Sequence, residues 1–178
     1  MESIRLLTDD IRKSAPLLKA GMRVLLSGFV FTARDAAHRR IVECIDRKKA
    51  LPFDINNAIV YYAGPTPTPP RLAIGSCGPT TSGRMDVYTP TLLDMGLAGM
   101  IGKGERSEQV VLAIKRNRAV YLCAVGGAGA LASRCVKSCE EIAFPDMGCE
   151  SVKKLEICDF PLYVAVDCHG GNLFTIKS

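Results

Sequence analysis

Apolar positions along the chain follow two alternating rhythms. Short runs rich in β-branched and aromatic residues predict strands, and stretches with apolar residues three or four apart predict helices. The plainest strand covers residues 23–32, Arg-Val-Leu-Leu-Ser-Gly-Phe-Val-Phe-Thr. A helix over 33–49 follows, with Ala36, Ala37, Ile41, Cys44 and Ile45 on one face. Residues 58–63, 98–101 and 119–125 read as further strands, with helices over 91–97 and 107–116 between them. Upstream, residues 4–6 read as a short strand, and Asp9 or Asp10 caps a short helix before Gly21. Downstream, strands are expected at 135–144, 155–158 and 162–166, with a short helix near Glu150. A hairpin turn at Gly170-Gly171 is expected to lead into a strand over 173–175. Strands alternating with helices predict an α/β fold, a mixed sheet with flanking helices in a single domain over 1–178.

The interruptions to this pattern carry the candidate chemistry. Residues 64–70, Gly-Pro-Thr-Pro-Thr-Pro-Pro, hold four prolines in seven positions and read as a rigid surface loop, not a linker. An apolar run over 72–76 reads as the strand leading into Cys77-Gly78-Pro79-Thr80-Thr81-Ser82-Gly83-Arg84-Met85-Asp86, and a helical pattern leaves it from about Pro90. Gly and Pro there set a tight turn, three hydroxyls can donate and accept, and the Arg84 fork matches a carboxylate or phosphate. One reading is an anion cradle with a hydroxyl beside it, since a strand, a Gly-rich turn and a helix start gather anions on backbone N–H groups. The other is an ordinary strand-to-helix turn with Ser and Thr caps. Lys103, between Gly102 and Gly104, is either an anion ligand at the next helix or a solvated turn lysine. The run Gly126-Gly127-Ala128-Gly129-Ala130 lacks the spacing and downstream acid of a dinucleotide site.

Composition narrows the classes. The chain has 178 residues, 48% hydrophobic, with no Trp and a net charge of +5, as suits a packed domain with a mild affinity for anions. Its basic clusters, Arg39-Arg40 and Arg47-Lys48-Lys49, are not interleaved with aromatics, so no nucleic-acid surface is expected. No apolar run is long enough to span a membrane, and no signal peptide is legible at Met1-Glu2-Ser3, so a cytoplasmic protein is expected. Eight cysteines at irregular spacings fit neither a disulfide framework nor a zinc site; they read as buried thiols, and no metal ligand is expected among them.

Four segments in order carry a resemblance: Arg34-Asp35-Ala36-Ala37-His38-Arg39-Arg40, Gly78 to Asp86, Lys103-Gly104, and Phe144-Pro145-Asp146-Met147-Gly148. Together they resemble the iron–sulfur hydro-lyases, specifically the β subunit or C-terminal domain of class I fumarase and of L-tartrate dehydratase, over residues 4–174. The resemblance implies a swivelling β/β/α domain and reversible hydration of fumarate to L-malate, or the corresponding reaction of a close diacid. It also implies a [4Fe–4S] cluster held by three cysteines of a partner α subunit. None of this chain's cysteines falls at a ligand position. An assembly of two copies of each subunit is expected, since closed symmetric oligomers are the common outcome.

Carried over position by position, the resemblance makes Arg34, Arg84 and Lys103 substrate-binding residues and Thr80 the catalytic base. The residue types suit the reaction. Arginine forks hold a dicarboxylate in a fixed pose, cations stabilise the charge that grows on a carboxylate, and an open iron site supplies the Lewis acid. A threonine base would have to act as an alkoxide held by those cations. Asp35 and His38 either orient Arg34 or cap the helix, and Glu150 is either a partner for one arginine or a surface group. A non-enzymatic anion-binding or regulatory domain stands as the alternative from a different class.

Overall fold

The computed structural model describes residues 3–125, 127 and 129–175. Seven strands, β1 (Ser3–Leu7), β2 (Arg23–Thr32), β3 (Ile59–Tyr61), β4 (Gly99–Gly102), β5 (Val120–Cys123), β6 (Val136–Ala143) and β7 (Val152–Val166), form one mixed sheet in the order β1-β2-β3-β4-β5-β7-β6. β7 also pairs with β2, so β2, β3, β4, β5 and β7 close into a ring. β2 makes this possible by its length. One edge meets β7 from Arg23 to Phe31, while the other is shared between β1, along Arg23 to Ser27, and β3, at Phe31 and Thr32.

β1 to β5 run parallel where they pair, and the crossovers are helical, as parallel connections require. The α-helices are α1 (Ile11–Ser14), α2 (Asp35–Asp46), α3 (Thr89–Asp94), α4 (Glu108–Arg116) and α5 (Gly129–Arg134). Ser107 caps α4 by accepting the Val110 N–H at 3.4 Å. Alternation along the strands divides the core. Ile59, Tyr61 and Ala63 point into the ring with Val24, Leu122 and Leu162. Val60 and Tyr62 point outward against Leu92, Leu93, Val110 and Ile114 of the helices. No helix among the described residues is long and apolar enough to cross a membrane.

Some expectations are corrected. Residues 72–76 form no strand. Thr66 and Ser76 bond to each other instead, through Thr66 N–H to the Ser76 carbonyl at 3.0 Å and Ser76 N–H to Thr66 Oγ1 at 2.9 Å. The prolines around Thr66 lack the N–H groups that a ladder needs, so the segment folds back on the proline loop. The two strands expected at 155–158 and 162–166 are one, β7. A bulge opposite Ser27 absorbs Asp159, whose φ is +48° and whose N–H bonds Ser27 Oγ at 2.9 Å. Pro161 is tolerated because pairing with β6 ends at Ile157 and pairing with β5 starts only at Tyr163.

Residues 173–175 form a turn, not a strand. The loop is tied by the buried Asp167 carboxylate, which accepts the N–H groups of Ala20, His169 and Gly171, each at 2.9 Å. α5 was hidden from the sequence pattern by the glycines before it; Gly126 and Ala128 of that run lie outside the described residues.

Candidate active site

The carboxyl ends of the parallel strands β2, β3 and β4 lie side by side, and open α/β sheets gather ligands at that edge. Each of these ends delivers a singled-out residue. β2 leads through Ala33 to Arg34 at the start of α2, β3 leads to Gly64, and β4 leads to Lys103. The Thr80 turn is laid between the extensions of β3 and β4. Pro79 bridges Ala63 and Thr81 bridges Lys103. Thr80 N–H donates to the Tyr62 carbonyl at 2.7 Å, and Ser82 N–H donates to the Lys103 carbonyl at 2.9 Å. Thr80 is half-buried and Lys103 likewise. After Thr81 the chain enters a 3-10 turn, Ser82–Met85, which carries Arg84.

Gly102 shows how tight this junction is. A Cβ there would collide with Ser82 Oγ and stand 2.9 Å from the Tyr62 ring. Only glycine lets the Ser82 hydroxyl reach the Lys103 N–H, at 3.1 Å.

Each arginine has a carboxylate from this chain. Arg84 Nε donates to Asp35 Oδ1 at 2.9 Å, which joins the Thr80 turn to the start of α2. The Arg84 side chain is 52% exposed, and its Nη groups have no hydrogen-bond partner among the described residues. Arg34 Nη2 lies 3.3 Å from Glu150 Oε1. Glu150 Oε2 accepts the Ala36 N–H at 3.1 Å, so a carboxylate from the distant 3-10 segment Pro145–Glu150 caps α2. Arg40 holds that segment in place by a two-pronged pair with Asp146, both contacts 2.8 Å. The Arg34 side chain runs against Gly64, where a Cβ would come within 2.9 Å of its Cδ and Nη1. Three buried atoms here have no partner among the described residues: Arg34 Nε, Asp35 Oδ2 and His38 Nε2.

The open choices left by the sequence resolve individually. Glu150 is an arginine partner and not a free surface group. Asp35 pairs with Arg84 and not Arg34. His38 touches Arg34 through the backbone: its main-chain N–H and its Nδ1 meet the Arg34 carbonyl at 2.8 and 2.9 Å. Since a carbonyl only accepts, Nδ1 carries the proton. Complete burial pulls the His38 pKa down to about 4; the nearby Arg106 charge adds to this, while the Arg34 carbonyl and Asp35 oppose it. His38 is therefore a neutral packing residue against Tyr62 and Tyr88, with ring centroids at 5.3 and 6.0 Å.

Sequence reasoning missed Arg106 and Tyr121, which lie beneath the turn. Arg106 falls in the unassigned stretch before the expected helix at 107–116, and Tyr121 within the expected strand at 119–125. No local pattern marks either one; their only signal is a charged residue close ahead of the Ser107 cap. The reading of the eight cysteines as buried thiols is corrected: Cys77 and Cys168 are buried, Cys149 and Cys158 are exposed, and the other four are half-buried. Among the described residues no three His, Cys, Asp or Glu side chains are gathered as a metal site. The thiol of Cys77, just before the Thr80 turn, is pushed up to about 12 by burial, with Cys139 adding to the shift.

Residues 1–177 match the family model described as fumarase C-terminus. The chain is 40% identical over 169 residues to fumarate hydratase 2 of Leishmania major, covering 94% of this chain and 30% of that protein. It is 42% identical over 154 residues to the aerobic class I fumarate hydratase of Escherichia coli (strain K12), covering 85% and 28%. It is 37% identical over 176 residues to a Methanocaldococcus jannaschii protein named "Putative L(+)-tartrate dehydratase subunit beta", covering 96% and 88%. The chain thus spans under a third of the fumarate hydratases it matches, and most of the archaeal subunit. It belongs to the fumarase C-terminal family.

Proposed function

We propose, from that membership, that the chain is the β-type part of a two-part hydro-lyase that reversibly hydrates fumarate to L-malate. The observation that carries this reading is the Thr80 turn, stitched between the ends of β3 and β4 with Lys103, Arg84 and Arg34 on the surrounding loops. Arg84 spends one N–H on Asp35 and keeps its outer fork for a substrate carboxylate. Arg34 and Lys103 supply further positive charge. In the dehydrating direction Thr80 Oγ, as an alkoxide held by these cations, takes the proton from the carbon beside a carboxylate. The C–H electron pair forms the double bond as the C–O bond on the neighbouring carbon breaks and the hydroxyl leaves with its electron pair as hydroxide, for which the partner's cluster would supply the Lewis acid. Charge builds on the carboxylate during this step, where fixed cations in a water-poor site stabilise it most.

The iron–sulfur cluster implied by the family belongs, in this reading, to an α-type partner carrying three cluster cysteines; among the described residues here no three metal-ligating side chains are gathered. The assembly is two copies of each part, in the cytoplasm, where eight reduced thiols would persist. A second substrate, L-tartrate, is suggested by the 37% identity over 176 residues to the relative named for tartrate dehydratase.

Anaerobic co-production with the α-type partner, followed by assays with fumarate, malate and tartrate, tests the reading. Turnover of fumarate and malate is expected, and light scattering should find two copies of each chain. A loaded complex that turns over none of the three, yet binds them, would leave the anion-binding domain as the function.

A further inference from the structure

The loop that carries Lys103 and the loop that carries Arg84 are fastened from below by one arginine with no access to water. The Arg106 side chain is 0% exposed. Its Nε donates to Asp86 Oδ1 at 2.7 Å and its Nη2 to Thr89 Oγ1 at 2.8 Å. Tyr62 and Tyr121 present their faces to the guanidinium, with centroids at 5.3 and 4.8 Å. The other Asp86 oxygen accepts the Ser107 N–H at 2.6 Å. The Arg106–Asp86 pair therefore ties both loops from below, beneath the direct bonds between Ser82 and Lys103.

Tyr121 continues the chain of contacts upward. Its hydroxyl lies 2.9 Å from the Gly104 carbonyl and 2.8 Å from Ser82 Oγ. One proton serves one acceptor, and a carbonyl cannot donate. Tyr121 O–H therefore goes to Gly104, and Ser82 O–H goes to the Tyr121 oxygen. Ser82 Oγ in turn accepts the Lys103 N–H at 3.1 Å. The path from Tyr121 thus ends on the backbone of Lys103 on one side and on the Thr80–Arg84 turn on the other.

We propose that Arg106 and Tyr121 are positioning residues that hold Lys103 and the Thr80–Arg84 turn at one fixed spacing, so that hydroxyl and cations meet a dicarboxylate as a preformed set. The proposal rests on the functional reading above. It has a physical motive, since a misplacement of about 1 Å in a reacting set can cost on the order of a hundredfold in rate. Neither residue touches substrate: Arg106 is enclosed, and the Tyr121 hydroxyl is occupied on both sides.

Two measurements test it. The first is hydrogen exchange on the full chain alone, which needs no activity. Tyr121→Phe keeps the ring over Arg106 and removes only the hydroxyl. It should lower protection at the Lys103 and Ser82 amides while Val60 and Met100, within the sheet, keep theirs. Unchanged protection at Lys103 and Ser82 overturns the proposal.

The second is a double-variant cycle on the complex with the α-type partner. Tyr121→Phe and the more severe Arg106→Lys should each lower kcat/KM by about tenfold or more, and Tyr121→Phe should add little once Lys103→Met is present. Equal losses with and without Lys103 would reduce Tyr121 to a folding residue and overturn the proposal. If the unaltered complex turns over no diacid, the functional reading fails, and hydrogen exchange still decides whether the two residues set the spacing of the loops.

Discussion

Arg84 and Arg106 lie on neighbouring loops, and each pairs with an aspartate of this chain, at 2.9 and 2.7 Å. Their surroundings give them opposite uses. Arg106 is 0% exposed, its fork is spent on Asp86 and Thr89, and two tyrosine rings cover it. Arg84 is 52% exposed and gives up only Nε. A saturated, dry arginine holds structure together, because breaking it strands a buried charge. A half-wet arginine with a free fork adds little to stability and has donors left for a ligand. The same division separates a lower layer, Arg106, Asp86, Tyr121 and His38, from an upper rim, Arg34, Thr80, Arg84 and Lys103. Rim variants are expected to lose turnover without losing stability, and layer variants to lose stability together with turnover.

The largest effect expected on the rim is that of Thr80→Val. It removes the hydroxyl and nearly keeps the shape, so turnover by the assembled enzyme should fall by roughly 10²–10⁴ with malate binding retained. Steady-state kinetics with malate and fumarate check it, with Thr81→Val and Ser82→Ala as neighbours. Near-normal turnover in Thr80→Val beside a collapse in Thr81→Val would move the base by one residue.

In the layer, Arg106→Met leaves Asp86 without its cation in a nearly dry site and should cost about 3–5 kcal/mol. Urea denaturation of the chain measures this. A loss as small as that of an exposed pair would erase the contrast drawn between the two arginines.

His38 sharpens the contrast through pH. Its folded pKa of about 4 lies below the ordinary 6.5, so the unfolded chain binds the extra proton between these values. Its contribution is complete above the unfolded value and is lost as pH falls toward 4, on the order of 3 kcal/mol in all. Arg106 and Asp35 are the charges that face it. Denaturation at neutral and mildly acidic pH should show a steeper acid loss in the native chain than in His38→Asn. Equal slopes would remove His38 from the layer.

The smallest effect is that of Arg84→Lys. It keeps the charge and loses the fork, so KM for malate should rise by about one to two powers of ten. Unfolding free energy should change by no more than about 1 kcal/mol, as for any exposed pair. A stability loss near that of Arg106→Met would mean that Arg84 is structural as well.

Much of this was legible beforehand, and the reasons differ by feature. β2 was read at its full length because Arg23 to Thr32 is a long run of strand formers. α4 was legible because Ser107 caps it and its apolar spacing is regular. Thr80 and Arg84 sat in one dense motif, whereas Arg34 and Lys103 joined them only through the family resemblance. β7 was not legible as one strand, because Asp159 and Pro161 look like a break until Ser27 and the gap between β6 and β5 are seen to accommodate them.

By itself, the sequence determined what depends on near neighbours: the rhythm of strands and helices, the Gly-Pro-Thr-Thr-Ser-Gly-Arg turn at 78–84, and with that motif the family. The tertiary structure alone decided which carboxylate each arginine meets. Asp35 goes to Arg84, Glu150 to Arg34 and Asp86 to Arg106. An ion pair depends on distance and on the water left around it, and both are set by how remote segments pack.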